Sequence, residues 1–170
     1  MEDGLGGRTT DLEYVGRPGR NGLQHLPVAS LQAAPLDLVI LALGTNNLFT
    51  EAERKPEDTA DAMRALIAAV RDLPSTSGSS VPNTNPPKVM IVSPPNCLPL
   101  SSVTGAGFPE LDNLTQWLPE LTKLYAKLAI EQGAYFADAT KVCNPDPVDG
   151  LHLDVENTRK LGLVLQKYLP

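Results

Sequence analysis

Apolar positions along the chain change period several times, and each change marks an element. Leu23, Leu26, Val28 and Leu31 keep roughly helical spacing between Leu23 and Ala34, with Asn21 placed as the N-cap. Pro35 stops that helix, and a strand is expected over 36–44. Its seven unbroken apolar residues, Leu38-Val39-Ile40-Leu41-Ala42-Leu43-Gly44, suit a strand buried on both faces of a parallel sheet. Pro56-Glu57-Asp58 opens the next helix, with acids at the positive end of its dipole. Ala60, Met63, Leu66, Ile67, Val70 and Leu73 then form an apolar stripe in steps of three and four.

From Pro74 to Pro87 the composition turns to Ser, Thr, Gly, Asn and Pro, which reads as a flexible surface insertion. Lys88 to Ser93 is a second short buried strand, ended by Pro94-Pro95. The irregular stretch 96–112 is expected to form a loop over the strand ends. Leu114, Trp117, Leu121, Leu124, Tyr125 and Leu128 share a helical face, with Gly133 as C-cap and Pro119 expected to break or restart the helix. Ala134 to Asp138 is a third strand. Asp154 is placed to cap a last helix carrying Leu161, Val164, Leu165 and Tyr168. Helices alternating with strands define an α/β fold with a parallel sheet covered on both faces. Three strands make a thin sheet, below the usual four to six or so.

Length and charge narrow the picture. The 170 residues suit one domain, and the net charge of −6 argues against nucleic acid or an anionic membrane as the main partner. Arg8, Arg17 and Arg20 are the only dense positive cluster and read as a local loop in a polar opening, residues 1–22, that holds six Gly. Cys97 and Cys143 are far apart and in no metal-ligand spacing. Without an apolar leader or a stretch of bilayer length, the expected location is cytoplasmic.

Candidate chemistry sits in three places. Asp149 and His152 lie three residues apart in a Gly-containing turn, so the carboxylate can reach one imidazole nitrogen while the other faces outward. Asn46 follows the first strand, where open α/β sheets place ligands, and its amide can donate to a developing oxyanion. Gly-Thr-Asn-Asn is also good turn chemistry. Gly7 offers a backbone N–H unshielded by a Cβ. With adjacent parallel strands these groups cluster, supplying an oxyanion hole and an oriented base, the kit for acyl transfer. His25, in the first helix with no acid similarly placed, reads as structural.

These residues carry a resemblance to the SGNH hydrolases, the GDSL-type esterase and lipase superfamily, most similar to its arylesterase-like branch. Gly4-Leu5-Gly6-Gly7-Arg8-Thr9-Thr10 resembles the family's second block, Leu36 to Asn47 its third block, Gly-x-Asn-Asp, and Asp149-Gly150-Leu151-His152 its fifth block, Asp-x-x-His. The resemblance implies a flavodoxin-like fold, a small-molecule ester substrate and no metal or organic cofactor. It implies His152 as base, Asp149 as its orienter, and Gly7 and Asn46 as oxyanion donors.

Two departures stand out. The first block, Gly-Asp-Ser-Leu with the nucleophilic serine, has no counterpart ahead of Gly4. The expectation is a single domain over 1–170 that is N-terminally incomplete, short of a strand-helix-strand unit on the order of 30 residues, and poorly stable or completed by another chain. Ser93, Thr9 and Thr10 are the hydroxyls to weigh as substitutes. Asn47 stands where the family has Asp, which is expected to weaken the site without abolishing Asn46. The implied function is a carboxylic ester hydrolase with a serine acyl-enzyme mechanism. The alternative is a non-catalytic pseudohydrolase that binds a ligand or a partner.

Overall fold

A computed structural model describes residues 4–14, 16–49, 54–76 and 86–169. Its helices are α1 (Gly22–Ala33), α2 (Pro56–Thr76), α3 (Leu111–Gln132) and α4 (Val155–Leu165). Its strands are β1 (Leu38–Leu41), β2 (Lys88–Val92) and β3 (Tyr135–Ala137), all parallel, in the spatial order β1-β2-β3. Leu38 is paired with Lys88 and Leu41 with Ile91; Met90 is paired with Tyr135 and Val92 with Ala137. α2 and α3 supply the two crossovers that parallel neighbours require.

Alternation along the strands divides the core between the two faces of the sheet. Leu41, Val89 and Ile91, with the partly buried Val39 and Phe136, pack against the apolar stripes of α2 and α3. Met90, Val92 and Ala137 turn the other way, with Leu38 and Ile40, and meet Leu161 and Leu165 of α4. The sheet is thus covered on both sides, as its hydrophobic runs require.

The structure revises several expectations. β1 spans four residues, and of these only Leu41 is buried. It is the edge strand among the described residues, and the cavity described below runs along it, whereas β2 lies between two neighbours and is buried from Val89 to Val92. Pro119 does not break α3, which runs through it to Gln132. Its apolar face holds the helix on the core: Leu114, Leu118, Leu121 and Tyr125 are all fully buried on either side of the proline. α1 likewise contains Pro27. α2 continues to Thr76, past the expected start of the insertion, and residues 77–85 of that insertion lie outside the described residues.

Capping follows the sequence more closely. Asn21 accepts the N–H of Gln24 at 3.0 Å, and Asp154 accepts that of Asn157 at 2.7 Å. Gly133 ends α3 in the left-handed region at φ 57°. No helix among the described residues is long and apolar enough to cross a membrane.

Candidate active site

Three segments build the site, each tied down by hydrogen bonds that cross long stretches of sequence. The first follows β1. Gly44 has φ 131°, and a Cβ there would stand 2.6 Å from the Tyr125 hydroxyl, so only glycine fits this turn. A single 3₁₀ turn, Thr45–Asn47, follows. The Asn46 side chain donates through Nδ2 to the carbonyl of Arg8 at 2.9 Å, while its own carbonyl accepts the Tyr14 hydroxyl at 2.6 Å. One amide hydrogen of Asn46 is therefore committed, and Nδ2 carries a second.

The second segment is Gly4–Asp11, which runs past the start of α1. The carbonyls of Thr9 and Thr10 accept the N–H groups of Gly22 and Leu23 at 3.1 and 2.8 Å, satisfying donors that a helix start leaves open. Thr9 N–H in turn donates to Arg20 at 2.9 Å. Gly7 adopts φ 78° within this segment.

The third segment is the loop before α4. Gly150 N–H donates to Asp146 at 2.8 Å and Asp146 N–H to His152 at 2.7 Å, closing the loop on itself. Gly150 is in the left-handed region at φ 75°, and a Cβ would come within 2.7 Å of Val103. Leu98 N–H donates to Gly150, Thr104 N–H to Pro147 and Gly105 N–H to Val148. The stretch 98–105 is thereby bonded to the loop that carries Asp149 and His152.

Asp149 accepts from three donors. Its Oδ1 takes the N–H groups of Leu151 and His152 at 2.8 and 2.9 Å, and its Oδ2 stands 2.7 Å from His152 Nδ1. Partial burial pushes the carboxyl upward, but the Leu151 N–H, the imidazole and the His152 N–H outweigh it, and the net shift is below the ordinary value of 3.8. An ionised carboxylate only accepts, so Nδ1 carries a proton, and in the neutral imidazole Nε2 then keeps its lone pair. Phe108 lies edge-on to the imidazole at 5.9 Å between ring centres and makes a second edge contact with Phe49 at 5.5 Å.

Gly7, Asn46 and His152 line one cavity of about 820 Å³, which also runs along the open edge of β1 between α1 and the end of α4. Asp149 joins them through its bond to His152. The substitute hydroxyls do not line it. Ser93 is buried and its Oγ accepts the Ala139 N–H; Thr9 and Thr10 are wholly buried and hydrogen-bonded through their hydroxyls. The cavity wall also includes Ser30 and Thr45, which the sequence does not single out, and His25, which reads as structural in the sequence. Their spacing along α1 and the turn carries no chemical signature; only the fold brings them to this wall.

Gly7, Asn46 and His152, the last bonded to Asp149, border one cavity of a parallel α/β fold of the SGNH hydrolase type. The chain belongs to the GDSL-like lipase/acylhydrolase family, whose profile matches residues 2–157. Solved structures agree. The native aryl esterase of M. smegmatis is 34% identical with a TM-score of 0.86, the alignment covering 99% of this chain and 76% of that one. A putative arylesterase from Agrobacterium tumefaciens str. C58 is 36% identical, with a TM-score of 0.85 and coverage of 99% and 77%. A carbohydrate acetylesterase from Sinorhizobium meliloti is 31% identical, with a TM-score of 0.85 and coverage of 99% and 76%. No curated protein matches the sequence. Family and neighbours together place the chain among ester hydrolases.

Proposed function

We propose that this domain hydrolyses carboxylic esters through a serine acyl-enzyme, with His152 as general base, Asp149 as its orienter, and Asn46 and Gly7 as oxyanion donors. The observation that carries the reading is that Gly7, Asn46 and His152 border one cavity, with Asp149 Oδ2 2.7 Å from His152 Nδ1. The nucleophile is a serine of the Gly-Asp-Ser-Leu type supplied at this cavity, beside β1, the edge strand among the described residues. Its Oγ attacks the ester carbonyl carbon as its proton passes to His152 Nε2. The oxyanion gathers the N–H of Gly7 and an amide hydrogen of Asn46. Collapse breaks the bond to the alcohol oxygen, which takes the proton from His152; water then repeats the sequence on the acyl-serine and releases the acid.

A second reading rests on the buried, hydrogen-bonded state of Ser93, Thr9 and Thr10. Without a serine of the Gly-Asp-Ser-Leu type at the cavity, the same donors hold an ester without cleaving it. One experiment separates the two: p-nitrophenyl acetate turnover by the 170-residue chain and by the chain carrying a Gly-Asp-Ser-Leu strand ahead of Gly4. Turnover confined to the extended form, and lost by roughly 10³-fold or more in its H152A variant, supports the catalytic reading and its roles. Turnover that survives H152A removes His152 as base. No turnover in either form, with an ester still bound, favours the binding reading.

A further inference from the structure

Asn47, which stands in the place of a family Asp, uses every part of its amide. The side chain is wholly buried. Its Oδ1 accepts the backbone N–H of Thr10 at 2.9 Å; its Nδ2 donates to Thr10 Oγ1 at 2.6 Å and to Asp11 Oδ1 at 3.3 Å. Thr10 Oγ1 passes its own hydrogen to Asp11 Oδ1 at 3.1 Å, and Arg54 reaches Asp11 Oδ2 at 3.4 Å. Donors and acceptors alternate round this cluster without a conflict.

A carboxylate at 47 could not reproduce this pattern. It would still accept the Thr10 N–H, and it could take the Thr10 hydroxyl hydrogen only by drawing it away from Asp11, to which it has none of its own to give. It would also set a second negative charge about where Nδ2 now sits, 3.3 Å from Oδ1 of the partly exposed Asp11, with position 47 itself wholly buried. Like charges at that separation repel, and the buried one has no water to offset it. The amide at 47 is therefore matched to the carboxylate at 11, and it does not simply dilute the family pattern.

The cluster also ties together the two segments that carry the donors. Asn47 directly follows Asn46, and Thr10 lies three residues beyond Gly7, so the bonds between Asn47 and Thr10 join these segments across 37 positions of sequence. The bond from Asn46 Nδ2 to Arg8 lies between the same two segments. We propose that Asn47 is a positioning residue whose amide, paired with the carboxylate of Asp11, staples the Gly7–Asp11 segment to the Thr45–Asn47 turn and so fixes Asn46 relative to Gly7. The functional consequence rests on the proposed oxyanion roles; the staple itself does not.

The test is a charge exchange on the 170-residue protein: N47D, D11N and N47D/D11N. It is followed by thermal melting and by the side-chain NH₂ signals of Asn46 in ¹H–¹⁵N NMR. N47D is expected to lower the melting midpoint by roughly 2–8 °C and to shift the Asn46 NH₂ pair. N47D/D11N, which puts donor and acceptor back with their places exchanged, recovers most of both changes, leaving the double variant more stable than the two single effects sum to. Where N47D is too unstable to assign, recovery of the native Asn46 signals in the exchanged variant is the deciding result. A harmless N47D, a double variant no better than the sum, or a melting loss that leaves the Asn46 signals unmoved overturns the proposal. Ester turnover does not enter, so this outcome is separate from whether Asn46 stabilises an oxyanion.

Discussion

The hydroxyl of Tyr125 donates to the carbonyl of Leu43 at 3.0 Å, joining the middle of α3 to the residue before the Gly44 turn. Tyr125 is wholly buried in the core, and burial, with the charge of Asp11 adding to it, pushes its phenol far above the usual range, so it stays a neutral donor. Tyr125→Phe keeps the ring and leaves the Leu43 carbonyl without this partner. The expected cost is about 1–2 kcal/mol, read as a lower denaturation midpoint with an unchanged slope in urea.

Gly44→Ala strikes the same junction from the other side. Its Cβ would meet the Tyr125 hydroxyl at 2.6 Å and Leu121 at 3.0 Å, and φ 131° is a conformation that alanine rarely adopts. Strain and the displaced hydrogen bond act together, so the loss should exceed that of Tyr125→Phe, at roughly 2–4 kcal/mol. Parallel urea melts of the two variants check the order.

These two residues also mark what the sequence makes legible. The apolar run 38–44 announces a strand, although only Leu38–Leu41 form one and it lies at the sheet's edge among the described residues, and Tyr125 falls on a regular helical stripe. Their hydrogen bond is invisible in sequence, since nothing local pairs positions 43 and 125. Pro119 misled for the opposite reason: its local penalty is real, but burial of Leu114, Leu118, Leu121 and Tyr125 along the same face outweighs it. At the candidate site, Asp149 and His152 announce themselves by spacing alone because their bond is local. Phe108, beside the imidazole, lies in the aperiodic stretch Gly105-Ala106-Gly107-Phe108-Pro109, where tertiary contacts place it: the bonds of Thr104 and Gly105 to Pro147 and Val148, and the edge contact with Phe49. The cluster of Asn47, Thr10 and Asp11 depended on a contact across 37 positions and was equally out of reach.

Asp149→Asn is expected to exchange the imidazole tautomer while leaving the loop largely intact. An amide oxygen still accepts from the N–H groups of Leu151 and His152, but the amide nitrogen now faces Nδ1 and must donate to it. Nδ1 becomes the acceptor and Nε2 takes the proton, so the outward nitrogen is no longer a base. The ¹⁵N shifts of the His152 ring should exchange their protonated and unprotonated positions near pH 8. In a serine-supplied form, ester turnover should fall by roughly 10⁴-fold. Ring signals that keep the native tautomer in this variant contradict the account.

Acid should act on the loop through the same carboxyl. The Asp149 pKa lies lower in the folded protein than the ordinary 3.8, so its ionised form favours folding. Its contribution is complete above pH 3.8 and fades as pH falls through the lower folded value; Asp154, held down chiefly by the Asn157 N–H, follows the same sign. In an NMR titration of the carboxyl carbons, both residues should therefore protonate with midpoints under 3.8. A midpoint for Asp149 above that value would mean that its hydrogen bonds to Leu151 and His152 do not persist in solution.

Cys97 is the last group whose chemistry the packing decides. It is buried, and desolvation, partly offset by a backbone hydrogen bond, pushes its thiol up to about 11. Its Sγ lies 3.6 Å from the carbonyl of Leu111, which a thiol can approach as a donor and a thiolate cannot. Cys143 is also raised by burial, and its Sγ lies 3.2 Å from the carbonyl of Ala139. At pH 7 a thiol raised this far stays almost wholly protonated, and the reactive species is the thiolate. Both cysteines are free, one packed among α2 and α3 and the other on the opposite face of the sheet. A disulfide reagent added to the native protein at pH 7 should therefore release almost no chromophore until urea is added, after which two equivalents appear for the two thiols. Rapid native reaction at Cys97 would show that the α3 start, which carries Leu111, opens readily in solution.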